Sequence, residues 1–129
     1  MIYEEAVLLK RPFDEVVSEV RAALADQGFG VLTEIDLQAT LKSKVGTDID
    51  RHMILGACNP HLASRAVQAM PEIGALLPCN VVVRETKAGV AVEALDPGLM
   101  ATISDSEAMT PIADEARTLI GNALSALLS

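Results

Sequence analysis

His52-Met53-Ile54-Leu55-Gly56-Ala57-Cys58-Asn59-Pro60-His61 is the stretch on which the fold turns. Its first seven residues have the apolar content of a strand ending at Cys58. Asn59 then offers a side-chain oxygen to the free N–H groups of a helix start, and Pro60 suits the first turn because its missing N–H would have found no partner. A helix through Ala63, Ala66, Val67 and Ala69 follows until Pro71 breaks it. A second cysteine stands in similar company downstream, in Leu76-Leu77-Pro78-Cys79-Asn80-Val81. Each thiol is followed by Asn, sits near a proline and marks a strand end. Cys58 and Cys79 are the only two cysteines of the chain.

Whether the two thiols meet depends on the segment between them. A helix from Pro60 to Ala69 advances ~15 Å at ~1.5 Å per residue, which carries the chain back toward the beginning of the preceding strand. If Met70 to Pro78 then runs back along the sheet, Cys79 opens its strand beside the end where Cys58 finished, and the two strands are antiparallel. If that connector stays at the bottom, the unit is a parallel crossover and the thiols lie ~20 Å apart. The connector is longer than the roughly two to six residues of an ordinary helix-to-strand loop, which favours the antiparallel arrangement.

Outward from this unit, Ile2 to Leu9 reads as a first strand. Pro12 opens a helix whose Phe13, Val16, Val17, Val20, Ala23 and Leu24 recur at helical spacing. Gly28 stops it, Phe29 to Ile35 form a second strand, and Gly28 and Gly30 read as a cap and a close-packing position. Asp36 caps a short helix whose Leu37, Leu41 and Val45 share a face and which Gly46 closes. Thr47 to Arg51 is a loop. Cys79 to Glu85 and Gly89 to Leu95 form a hairpin, Asp96-Pro97-Gly98 turns the chain out of the sheet, and Thr102 to Glu107 is a small polar stretch. Thr110 and Pro111 open a last helix with Ile112, Ala116, Leu119, Ile120, Ala123, Leu124 and Leu127 on one stripe. The expected fold is a single domain over residues 1–129: two-layer α+β, about five strands in a largely antiparallel sheet, with the long helices packed on one face.

Composition narrows the function. Half of the residues are hydrophobic, and Tyr3, Phe13 and Phe29 are the only aromatics, so an aliphatic core is expected and ring stacking is not expected to hold a ligand. A formal net charge of -8 is the wrong sign for a nucleic-acid backbone. No apolar run reaches the ~18 residues of a membrane span, and the first residues lack the pattern of a signal peptide. A cytoplasmic setting is expected, where reducing conditions disfavour a permanent Cys58–Cys79 disulfide.

The blocks Gly28-Phe29-Gly30-Val31-Leu32-Thr33-Glu34-Ile35-Asp36, Ile54-Leu55-Gly56-Ala57-Cys58-Asn59-Pro60, Leu76-Leu77-Pro78-Cys79-Asn80-Val81-Val82-Val83 and Asp96-Pro97 occur in this order across nearly the whole chain. In them the sequence resembles domain of unknown function family 302. The resemblance implies a small α+β domain with a helix-covered sheet, a homodimer, and no established activity or catalytic residues.

The residues themselves point to a binding or thiol-relay module at the strand ends, with Cys58, Asn59, His61, Arg65, Cys79 and Asn80 as candidate ligand-binding residues. Cys58 precedes a helix start, where the positive helix end stabilises a thiolate; Cys79 is then its resolving or co-binding partner. The N–H groups of residues 60 to 63, with Arg65 one turn on and Arg51 before the third strand, suggest an anion site. The alternatives are a redox enzyme using Cys58 with His61 as base, and a purely structural dimerisation domain in which both thiols are buried. Cys58, His61 and Cys79 also offer three metal ligands, one fewer than a closed zinc site needs, so no metal is expected there. Cofactor and reaction stay unassigned.

Overall fold

Alternating burial along the middle strands decides which side of the sheet the helices cover. A computed structural model of the chain describes residues 3–129. The strands are β1 (Tyr3–Leu9), β2 (Gly30–Asp36), β3 (His52–Cys58), β4 (Cys79–Thr86) and β5 (Gly89–Leu95). The helices are α1 (Phe13–Asp26), α2 (Leu37–Val45), α3 (Pro60–Ala69), α4 (Gly98–Ser104) and α5 (Met109–Ala126), with a 3-10 turn over Pro71–Leu76. The five strands form one sheet in the order β1-β5-β4-β3-β2, and every neighbouring pair is antiparallel.

On one face Leu55 stands opposite Val81 and Val81 opposite Ala94, while Met53, Val83 and Val92 form the next row. These side chains are buried together with Phe13, Val16, Val20 and Leu24 of α1 and Ile120, Ala123 and Leu124 of α5. Period-two alternation on the strands thus meets period-3.6 stripes on the two long helices, as the sequence predicts. On the opposite face one row runs Ala6, Glu93, Val82, Ile54, Ile35 across all five strands. There Leu8 and Ile35 are 47% and 46% exposed.

A second apolar cluster lies beyond the end of the sheet. Leu62 and Ala66 of α3 pack there with Ile73, Met100 of α4, and Met109 and Ile112 of α5. The first half of α5 therefore serves this cluster and its second half the main core.

Several expectations are corrected in detail. Ile2, the predicted start of β1, lies outside the described residues. α4 falls where the sequence suggests only a turn followed by a polar stretch. Leu37, Leu41 and Val45 lie on α2 as expected, but no residue of this helix is buried, and Val45 is 70% exposed. Gly30 is not a close-packing position, because a side chain there would meet nothing within 4 Å. Gly56 takes that role instead: a methyl group at this position would overlap Thr33 Oγ1 and come within 2.8 Å of Pro78 Cγ. Gly28, at φ 84°, is the left-handed cap that the sequence reading expects.

Candidate functional site

Ala57 stands directly across from Cys79 in the β3–β4 ladder, so the antiparallel alternative holds and both thiols lie at one end of the sheet. Because successive strand residues face opposite sides, it is Ala57, not Cys58, that shares the core face with Cys79. Cys79 is buried in the main core and Cys58 is half-buried at the strand's end; neither is in a disulfide. Burial, followed by the charge of Cys58, pushes the Cys79 thiol up to about 11. Cys79 is therefore a neutral SH group at physiological pH.

Both cysteines border one apolar hollow between the sheet end, α3, α4 and α5. Its walls include Phe29, Leu62, Ala66, Leu77, Met100 and Ala116. Its free volume is about 20 Å³, room for about one water molecule. Leu77 and Met100 also line a second, wider groove of about 290 Å³, which Asn80, Leu95 and Ile103 complete. These two side chains are thus a thin partition between hollow and groove.

Asn59 sits where β3 becomes α3. Its Oδ1 accepts from His61 N at 3.1 Å and Leu62 N at 3.2 Å, its carbonyl accepts from Ala63 N, and its amide reaches Gln27 O at the end of α1. The predicted N-cap is confirmed, and it has a further consequence: Pro60 has no N–H, so every backbone donor of residues 60 to 63 is engaged. Arg65 is engaged as well, 2.6 Å from Glu115. Arg51 pairs with Asp14 at 2.9 Å and lies over the Phe13 ring, at the other end of β3. The expected anion site thus has its donors and cations committed to internal partners.

His61 is exposed, and among the described residues no hydrogen bond links it to a thiol. His52 stands opposite Arg84, far from Cys58 along β3. Burial and the Arg84 charge lower the His52 pKa. Among the described residues no three His, Cys, Asp or Glu side chains converge as metal ligands would. Asn80 is exposed on the face opposite Cys79, at the groove, and among the described residues its amide has no protein partner.

The walls contributed by α4 and α5 are what sequence reasoning missed. One signal was present. Asp96-Pro97 is an acceptor carboxylate followed by proline, a helix-start pattern. Asp96 Oδ1 indeed accepts from Gly98 N at 2.8 Å. Arg117 of α5 holds the same carboxylate at 2.9 Å, tying α4 to α5. Burial opposes ionisation of Asp96, but the Gly98 N–H and Arg117 outweigh it and hold its pKa below the ordinary value.

A small all-antiparallel α+β domain with an apolar hollow at the strand ends is the class that these features define. The family model described as "Domain of unknown function DUF302" matches residues 5–127, and the chain belongs to this family. A solved structure, described as that of an uncharacterized conserved protein DUF302 from Bacillus stearothermophilus, is similar to it with a TM-score of 0.89. The two are 23% identical, and the match covers 97% of each chain. This likeness concerns the fold. No curated protein matches the chain.

Proposed function

We propose that this domain is a small-molecule binding module, its site at the sheet end around the hollow at the β3–α3 junction and the groove beside it, with Cys79 serving as a neutral apolar wall rather than a reacting thiolate. The observation that carries this reading is the placement of both cysteines on one apolar hollow with the Cys79 thiol pushed up to about 11. A thiol relay needs a thiolate and a partner within bonding reach, and residues whose Cβ vectors point apart cannot be bridged without backbone movement. An uncharged ligand suits a junction whose N–H groups and Arg65 are already engaged. Two unpaired thiols fit a cytoplasmic setting.

Methyl-resolved NMR with a set of short aliphatic amides, alcohols and carboxylates tests this. Saturable shifts at Ala57, Leu62, Ala66 and Ala116 are expected with at least one member. A purely structural domain would give none.

The open sheet face supports a second reading, homodimerisation. Five strands of about seven residues present a face of ~24 by ~24 Å, so packing two copies face to face buries ~1,100 Å² in all, at the threshold of a specific interface. Half-buried Ile54 and Val82 lie near its middle, and exposed Leu8 and Ile35 on its edge strands extend the apolar surface. Sedimentation velocity of the wild type against Leu8→Lys/Ile35→Lys tests it: a dimer reduced to a monomer supports the interface, and a wild-type monomer rules it out.

A further inference from the structure

We infer that the groove beyond Leu77 and Met100 is the entrance to the hollow, and that the two together bind a short, uncharged aliphatic molecule ending in a primary amide or similar neutral group read by Asn80. The inference rests on the hollow being a binding site and adds the ligand's chemical class.

The hollow is too small for anything larger than about one water. The groove, at about 290 Å³, holds about ten atoms of water size. Two side chains line both spaces, and one of them, Met100, is unbranched with several rotatable bonds, the kind of side chain that repacks readily. Its rotation joins the two spaces into one slot, groove at the mouth and hollow at the floor.

The lining of the slot determines what fits. Neither space is lined by a charged residue, so a carboxylate would find no cationic partner there, and the chain's net charge of -8 works against an anion. Asn80 is the polar group at the groove, and its amide presents two donors and an acceptor. A primary amide satisfies both kinds of group at once, as amide pairs do. Asparagine is also a poor choice for a strand, and here it opens the run Val81-Val82-Val83, where valine would suit the sheet better. Asn80 is exposed at the groove with no protein partner on its amide among the described residues, so that amide is open to pair with a bound one.

Hexanamide is the probe, titrated into methyl-labelled wild type and Asn80→Val, with hexanoate as the charged isostere. Wild type is expected to saturate with hexanamide on the millimolar scale, with shifts at Leu95 and Ile103 in the groove and at Ala66 and Ala116 in the hollow. Hexanoate is expected to bind at least about tenfold more weakly, and Asn80→Val to weaken hexanamide by about tenfold while melting no lower than wild type. Equal binding of hexanoate, or full affinity in a folded Asn80→Val, overturns the assignment of ligand class. Shifts confined to the groove overturn the joined slot. If other fragments of the set reach the hollow while hexanamide does not, this inference fails alone; if none reaches it, the binding reading itself fails.

Discussion

Cys79 is a buried SH group whose surroundings oppose its ionisation. Below about pH 9 the thiol is protonated in the folded and unfolded chain alike; between about pH 9 and about pH 11 only the unfolded chain ionises. The thiol's contribution is therefore fully present below that window and is lost as pH rises through it. Across the whole window the loss amounts to about 3 kcal/mol. Urea unfolding of the wild type at pH 8 and pH 10 should show a fall that Cys79→Ala lacks. Gly56 is the other residue whose identity is dictated by its surroundings. Gly56→Ala forces a methyl against Thr33 and Pro78 and should cost about 1–3 kcal/mol, read as a lower urea midpoint at unchanged slope. The sequence marked Cys79 as a candidate by its company, Pro78 before and Asn80 after. The need for glycine at 56 was not legible, because it comes from a bulge between Val31 and Thr33 in the neighbouring strand.

At the scale of elements, Asn59 couples the two halves of the site, capping α3 while its amide touches the end of α1. Asn59→Ala should cost about 1–2 kcal/mol, at the upper end for a cap, in chemical denaturation. Met109 anchors α5 in the second cluster with no exposure, so Met109→Ala should cost about 2–5 kcal/mol and loosen α4 with it. The long amphipathic helices, the β4–β5 hairpin and the Asn59 cap were legible because local periodicity and cap chemistry specify them. α4 was not: it is seven residues long with one buried side chain, Met100. It is held by Asp96 and Arg117, partners twenty-one positions apart. The apolar stripe of α2 is too weak to dock the helix, and none of its residues is buried. Sequence alone placed the two thiols at one end of the sheet through connector length, yet the walls contributed by α4 and α5 depended on tertiary packing.

As a whole molecule the domain is a sheet with one face sealed by helices and one face open, carrying a net charge of -8. Two such copies repel, so a dimer formed through the open face should tighten as salt screens that charge; a dimer held by interfacial ion pairs would weaken. Sedimentation equilibrium at low and high salt distinguishes these. At the sheet end Leu77 and Met100 line both the hollow and the groove, and this is where ligand entry is proposed. Everything in this account depends on the sulfhydryl behind that partition being a wall. The direct measurement is the rate of iodoacetamide alkylation of Cys79 against pH in the wild-type protein, with the two cysteine peptides resolved by mass spectrometry. The account predicts a slow reaction at neutral pH with a midpoint near pH 11; a midpoint at or below the ordinary ~8.5 of a free thiol would contradict it.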